Sequence, residues 1–138
     1  LNGDWIDSPE RLPVENPATG EIFAEVASID RARVGEALAD AAAAFTAWGN
    51  LTALARGDYL LAVAGELSAR FETVARTITM ENGKPFAQSE AEVTMTIDHF
   101  RWFAEEGRRA YGRVVPHQAE GKRTACPGRP LGRESIPK

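Results

Sequence analysis

The feature that most constrains this chain is a helical apolar period that begins at Asp30 and continues to about residue 111. In its first segment, apolar residues recur three or four positions apart, which is the spacing of one face of a helix. Asp30 is placed to cap the first turn, and Gly49-Asn50 is placed to end the helix. The stripe consists of Val34, Ala37, Leu38, Ala41, Phe45 and Trp48.

A second apolar stripe follows, and Thr52 is placed to cap its helix. The spacing continues past Phe71, where we expect a kink, and stops at Asn82-Gly83. Glycine readily takes the left-handed conformation that closes a helix. The stripe consists of Leu60, Val63, Ala64, Leu67, Phe71, Val74, Ala75 and Ile78.

A third helix is predicted to start at Pro85, whose missing N–H would be unpaired in a first turn anyway, and to extend to about Tyr111. At about 1.5 Å per residue, its roughly 25 residues would span close to 38 Å, which implies a partner or a further domain. The predicted buried face consists of Val93, Ile97, Phe100 and Ala104, with Phe103 beside it.

The residues before this helical region are typical of short strands and turns. Asn16-Pro17-Ala18-Thr19-Gly20 has turn composition, and the next six residues alternate between polar and apolar. This alternation predicts a strand that pairs with the segment around Trp5 or Val14. The predicted fold is therefore mainly α, with a short N-terminal β-hairpin.

Composition excludes several classes of function. With 138 residues that are 43% hydrophobic, the chain can bury one core of ordinary size. Sixteen basic residues against twenty acidic ones indicate no nucleic acid partner. One cysteine rules out an internal disulfide, and the longest apolar run is too short for a membrane span of about 20 residues. No secretory leader precedes the first turn, so we expect a cytoplasmic location.

Several residues have the right chemistry for a site but the wrong surroundings. The Gly83-Lys84 pair lacks the upstream glycine and the following Ser or Thr of a phosphate loop, so it is interpreted as a helix stop before a helix start. Cys126 could act as a nucleophile only with a histidine base, and neither His99 nor His117 stands in a recognisable Cys-His-Asn or Cys-His-Asp context. Two other sets stay open: the charged pairs within 105–109 suit a surface or an interface, and the residues Met95, Phe100, Trp102 and Phe103 suit a core or the wall of a substrate passage.

Five motifs in a fixed order give a more specific signal. They are Asn2-Gly3-Asp4-Trp5; Glu15 to Glu21; Ala44-Phe45-Thr46-Ala47-Trp48; Glu81-Asn82-Gly83-Lys84-Pro85; and Phe103-Ala104-Glu105-Glu106 with Arg108-Arg109. In this order the chain resembles the leading part of the NAD(P)-dependent aldehyde dehydrogenase superfamily, an α/β fold. The helical motif from Phe100 to Glu106, followed by Tyr111-Gly112-Arg113 and Pro116, is most similar to succinate-semialdehyde dehydrogenases.

This resemblance implies oxidation of an aldehyde to a carboxylic acid in the full-length family. There a cysteine thiolate attacks the aldehyde, a glutamate activates the deacylating water, and a Rossmann-like half binds NAD(P). All three lie downstream of the matched region, and Cys126 lies too early to be the family cysteine. We therefore expect this chain alone to be catalytically inactive, with no catalytic residue and no bound NAD(P).

The resemblance also implies roles for a few residues. One set corresponds to the family's aldehyde tunnel: Met95, Phe100 and Phe103. A second set corresponds to a monovalent-cation site in some members, formed by the Glu81 side chain with the carbonyl groups of Val14 and Glu15.

The chain departs from the family pattern after Gly121-Lys122-Arg123. Residues 1–112 are predicted to form the dehydrogenase-like segment, and residues 113–138 a divergent, poorly ordered tail. We expect a dehydrogenase cut short by truncation or a reading-frame change. The alternative is a helical interaction module that associates with itself or docks onto intact dehydrogenase subunits.

Overall fold

The computed structural model describes residues 3–116 and 118–126. Two antiparallel hairpins flank a run of helices in this part of the chain. The elements are β1 (Arg11–Asn16), β2 (Glu21–Ala27), α1 (Arg31–Asn50), α2 (Ala53–Ala69), α3 (Phe71–Asn82), α4 (Phe86–Glu106), a 3-10 turn (Gly107–Arg109), β3 (Arg113–Pro116) and β4 (Arg123–Cys126). The prediction of a mainly α chain with an N-terminal hairpin is confirmed.

The first hairpin forms because its turn satisfies its own backbone. Asn16 Oδ1 accepts a hydrogen bond from the Ala18 N–H at 2.9 Å, and Gly20 takes the positive φ of +73° that brings the chain back. The strands pair from Arg11 opposite Ala27 to Asn16 opposite Glu21. The predicted pairing with the segment around Val14 is therefore confirmed, with a bulge between Val14 and Glu15.

Helix α1 begins and ends where the sequence predicts, but it buries nothing. The Asp30 carboxylate accepts a hydrogen bond from the Arg33 N–H at 2.8 Å and caps the helix. No residue of α1 is buried. Its apolar stripe therefore remains largely open to solvent, with Leu38 63% exposed.

The core lies where α2, α3 and α4 pack together. Its fully buried members are small or β-branched, so these helices approach one another closely. They are Ala64, Ala75, Val93 and Ile97. The half-buried residues packed around them are Leu67, Phe71, Val74, Ile78, Phe86 and Phe100.

The joints between these helices are set by backbone conformation. The predicted kink near Phe71 is a break in the helix, since Arg70 leaves the helical region at φ −107° and ψ 19°. The next joint is at Gly83, which has a φ of +65° and donates its N–H to the Thr79 carbonyl oxygen at 2.9 Å. This left-handed glycine closes α3, as predicted, and Pro85 precedes the first residue of α4.

Helix α4 is shorter than the sequence predicts. It ends at Glu106 rather than near Tyr111, because Gly107 begins a tighter 3-10 turn that runs to Arg109. Its 21 residues span about 32 Å, which a globule of this chain length can accommodate. The length of α4 therefore does not by itself require a partner.

A second hairpin occupies the first half of the region that was predicted to be a poorly ordered tail. Strands β3 and β4 pair from Arg113 opposite Cys126 to Pro116 opposite Arg123, and Gly121 takes a φ of +74° between them. Residues 127–138, the rest of the predicted tail, lie outside the described residues.

The contact between α2 and α4 predicts opposite effects for two glycine substitutions. A Cβ at Gly57 would lie 2.9 Å from the Ala104 carbonyl oxygen, whereas a Cβ at Gly65 would meet nothing within 4 Å. We expect Gly57→Ala to lower the free energy of unfolding by about 1–3 kcal/mol, and Gly65→Ala to raise it by about 0.5–1 kcal/mol. Urea unfolding followed by circular dichroism measures both, and equal effects would contradict the close crossing.

Candidate functional site

The aromatic and sulfur side chains of α4 are divided between two faces of the helix. Phe100 is half-buried and packs against the core, whereas Met95 and Phe103 are 55% and 58% exposed. At 100° per residue, the five positions from Met95 to Phe100 place the two side chains about 140° apart. Of the three predicted tunnel residues, Phe100 therefore packs against the core and the other two are exposed, and their role in a tunnel stays a prediction. Met95 and Phe103 lie on the open side.

The carboxyl-terminal end of α4 lines an open groove of about 780 Å³. Trp102, which the sequence analysis leaves between core and passage, is 62% exposed and belongs to this groove rather than to the core. The Arg109 guanidinium lies over its ring at 5.9 Å from the centroid. The lining residues are Asp98, Arg101, Trp102, Glu105, Arg108, Arg109 and Tyr111.

The charges of this groove are paired along the helix. Arg101 lies 3.6 Å from Asp98, and Arg108 lies 3.7 Å from Glu105. Arg109 pairs with Glu106. All six side chains are largely exposed, so each pair contributes at most a few tenths of a kcal/mol. The predicted pairing within 105–109 is confirmed, and its surface interpretation suits these exposures.

Two of the sequence motifs meet at the end of α3. A Cβ added at Gly83 would lie 2.9 Å from the Ala18 backbone nitrogen and 3.0 Å from Pro17 Cγ. The turn of the first hairpin is therefore packed directly on the left-handed glycine. The Gly83-Lys84 pair therefore joins two helices, and its glycine is the surface on which the hairpin turn packs.

Lys84 forms an ion pair with Glu92 in the second turn of α4. Between α3 and α4, the hydroxyl groups of Thr79 and Ser89 share a hydrogen bond of 2.8 Å, and Ser89 is completely buried. Arg76 of α3 lies over the Phe86 ring at 5.1 Å from its centroid. The sequence analysis missed the ion pair from the link to α4 and both contacts between α3 and α4, because the local sequence around a polar residue does not specify its partner in another element.

The predicted cation ligands lie near this joint, but the structure does not test them as a site. Val14 and Glu15 lie at the bulge of β1, and Glu81 is exposed in the last turn of α3. Among residues 3–116 and 118–126, no group of three or more His, Cys, Asp or Glu side chains could hold a metal ion. A site built on backbone oxygens has a different donor set, so the monovalent-cation site stays a prediction.

The residues considered as nucleophile and base contribute no site within the described part of the chain. His99 is exposed, and its ring lies 6.4 Å from the Phe103 ring. Cys126 ends β4, and His117 lies outside the described residues.

Asp7, in the segment before β1, is not suited to proton transfer either. The backbone N–H of Ser8 and the Arg11 guanidinium lower the pKa of the Asp7 carboxyl, which is the opposite of what a proton-transfer group needs near neutral pH.

The described residues do not form the strand-to-helix turn on which a Rossmann-like dinucleotide site is built. Such sites are built at the carboxyl ends of parallel strands, where a glycine-rich turn enters a helix. The strands between residues 3 and 126 pair only as antiparallel hairpins. Ser28-Ile29-Asp30, which links β2 to α1, contains no glycine that could form such a turn.

Within residues 3–116 and 118–126, no helix is long and apolar enough to cross a bilayer.

Comparison with known proteins identifies the family. The family model described as "Aldehyde dehydrogenase family" matches residues 5–136. The chain belongs to the aldehyde dehydrogenase family. The match covers much of the region after residue 112, so the family relationship extends beyond the segment that carries the five motifs.

Individual relatives agree with this assignment. The chain is 35% identical over 135 residues to a succinate-semialdehyde dehydrogenase of Escherichia coli whose name specifies NADP(+), covering 96% of this chain and 28% of the relative. It is 34% identical over 134 residues to a glutarate-semialdehyde dehydrogenase of Pseudomonas putida, again covering 96% and 28%. The chain thus spans about a quarter of the length of the curated relatives it matches.

The folds agree as well. The solved succinate-semialdehyde dehydrogenase from Burkholderia pseudomallei superposes with a TM-score of 0.82 at 31% identity, covering 91% of this chain and 26% of that one. The prediction of a leading fragment of the aldehyde dehydrogenase fold, similar to succinate-semialdehyde dehydrogenases, is confirmed.

The seat of the first hairpin can be tested by substitution at Gly83. Gly83→Ala should strain a φ of +65° and push the new methyl group into Ala18, so we expect faster amide hydrogen exchange in β1 and β2 and a loss of about 1–3 kcal/mol of stability. Gly121→Ala is the matched control, because its φ is +74° but its Cβ would meet nothing within 4 Å. If amide hydrogen exchange in the first hairpin were equally fast in both variants, the proposed packing of the hairpin turn on Gly83 would be contradicted.

Proposed function

We propose that this chain is the leading segment of an NAD(P)-dependent aldehyde dehydrogenase that oxidises a short aldehyde bearing a carboxylate at its far end. The observation that carries the proposal is the family match over residues 5–136 together with the superposition on a solved succinate-semialdehyde dehydrogenase. Sequence order and fold support it independently of any single residue.

The substrate class rests on the names of the relatives. One relative acts on succinate semialdehyde and another on glutarate semialdehyde. These two aldehydes differ by one methylene and share a terminal carboxylate. A hydrophobic pocket distinguishes one methylene by only about 1–3 kcal/mol. The proposal therefore names the class and leaves the chain length of the substrate to measurement.

Helix α4 would contribute one side of the aldehyde passage. Met95 and Phe103 are exposed on it, and a passage wall must present apolar side chains that the local core does not use. Phe100 would support that wall from behind, because it packs against the core. In a complete enzyme, the remaining polypeptide would close the other side and supply the catalytic thiolate, the general base and the dinucleotide site.

For the isolated chain we expect no turnover. The measurement is the formation of reduced nicotinamide from succinate or glutarate semialdehyde with either NAD or NADP. The E. coli relative serves as the positive control. Measurable turnover by the purified 138-residue chain would contradict the proposed division of labour between this segment and the rest of the fold.

The role of α4 is tested in a chimera in which residues 5–126 replace the matching segment of the Burkholderia enzyme. We expect the chimera to oxidise succinate semialdehyde. In it, Met95→Trp should lower kcat/KM about tenfold or more, because an indole fills the passage, whereas Met95→Leu should change kcat/KM less than about threefold, since its volume is similar. An active chimera that tolerates tryptophan would exclude Met95 from the passage.

The second candidate function is an interaction module. The observation that favours it is the exposure of most of the apolar stripe of α1, in which no residue is buried. This function is compatible with the first, because a dehydrogenase segment can also carry an assembly surface.

A further inference from the structure

The first two turns of α4 are tied to α3 and to the link before α4 by three contacts that involve polar or charged groups. The residues of α4 are Phe86, Ser89 and Glu92, which contact Arg76, Thr79 and Lys84 respectively. Because these positions are three residues apart, each contact lies about 60° further around the helix than the one before it. Met95 is the next position in this series, and it lies on the open side of α4, 55% exposed.

Ser89 differs from the other two residues because it is completely buried. It is the one polar member of the buried face of α4, whose other members are Val93, Ile97 and Ala104. The Thr79 hydroxyl is its hydrogen-bond partner at 2.8 Å. The ion pair of Lys84 and Glu92 is open to water, so it restrains the helix only weakly.

The buried hydroxyl pair restricts the rotation of α4 in a way that the apolar core does not. The core residues of α3 and α4 are Ala75, Val93 and Ile97, and the burial of such side chains favours no direction. A hydrogen bond weakens steeply as its distance and angle change, and an unpaired buried hydroxyl is costly. A single buried polar residue fixes the register of paired helices in some coiled coils for the same reason.

The contact near the other end of α4 acts mainly on the spacing of the helices. There the Ala104 carbonyl oxygen would lie 2.9 Å from a Cβ at Gly57. Backbone atoms lie close to the helix axis, with Cα atoms at a radius of about 2.3 Å, so a small rotation moves them less than half as far as the ends of side chains. This contact therefore tolerates a rotation that would break the hydroxyl pair.

We infer that the hydroxyl pair of Thr79 and Ser89 fixes the rotation of α4 and thereby positions Met95 in the aldehyde passage. Both are positioning residues, because they act through the helix. A rotation of about 20° would carry the end of a side chain, about 5–6 Å from the axis, through about 2 Å. This exceeds one carbon–carbon bond of about 1.5 Å, and succinate and glutarate semialdehyde differ by one methylene. The pair therefore helps to set which of the two aldehydes the passage accepts.

This inference rests on the proposed function, because the position of Met95 affects specificity only if α4 lines the aldehyde passage. It also makes a claim about the rotation of α4 that needs no substrate. The experiment therefore has two arms, one on the purified 138-residue chain and one on the active chimera.

The first arm measures backbone amide chemical shifts of the purified chain by NMR. Ser89→Ala and Thr79→Val each remove one hydroxyl, and both should shift the amides of residues 99–106, more than two turns beyond Ser89. Thr79→Ser keeps the hydroxyl and should leave these amides unchanged. Thr94→Val is the matched control, because the Thr94 hydroxyl is exposed and donates to the Glu90 carbonyl oxygen within α4 at 2.9 Å. Shifts confined to the first two turns of α4 in both hydroxyl-removing variants would overturn the inference.

The second arm measures kcat/KM for succinate and glutarate semialdehyde in the chimera that carries residues 5–126. Ser89→Ala and Thr79→Val should each change the ratio of the two values by about threefold or more. The change should lie mainly in KM, because a passage residue contacts the aldehyde without reacting with it. Thr79→Ser and Thr94→Val should keep the ratio within about twofold. A loss of stability alone lowers the amount of active enzyme for both aldehydes equally, so an unchanged ratio in Ser89→Ala and Thr79→Val would overturn the positioning role.

The inference and the proposed function fail in different ways. An inactive parent chimera would count against the proposed function, and the chemical shifts of the purified chain would still decide whether the hydroxyl pair fixes the rotation of α4. An active chimera whose substrate ratio is unaffected by loss of either hydroxyl would overturn the inference and leave the dehydrogenase function in place.

Discussion

The close crossing of α2 and α4 is the contact on which the rest of the described structure depends. Gly57 has no side chain, so the Ala104 carbonyl of α4 can approach the α2 backbone directly. This approach brings Val93 and Ile97 into contact with Ala64 and the surrounding half-buried ring of side chains. A core with so few fully buried members tolerates little loss of contact, because each lost methyl group removes a sizeable part of it.

The joint at Gly83 attaches the first hairpin to this three-helix core. Its left-handed backbone ends α3 and starts the link to α4, and its lack of a side chain leaves room for Ala18. The hydroxyl pair of Thr79 and Ser89 then fastens the two helices just beyond the turn. The contacts around Gly83 thus fix the positions of both the hairpin and α4 relative to α3. The exposed face of α4, where we place the aldehyde passage, is oriented by the same residues that hold the hairpin.

Local chemistry made much of this architecture predictable from the sequence. Asp30 and Thr52 cap α1 and α2 as predicted, because a cap is a hydrogen bond between residues three apart in sequence. Gly83 ends α3 as predicted for an equally local reason. The predicted carboxyl-terminal end of α4 was wrong by about five residues. The helical pattern of the sequence continues past Glu106, but Gly107 begins a 3-10 turn there instead.

The candidate site was less predictable. Apart from the break at Arg70 and the end of α4, the sequence alone determined where the helices lie, together with the two caps, the N-terminal hairpin and, through five ordered motifs, the family. Phe100 packs against the core as the predicted buried face of α4 implies, but only the tertiary structure decided that Phe103, beside that face, is exposed. It also decided that α1 remains unpacked and that Gly57 meets Ala104. Caps and turns are settled between neighbours in the chain, whereas burial depends on contacts between residues far apart in sequence, which no local pattern specifies.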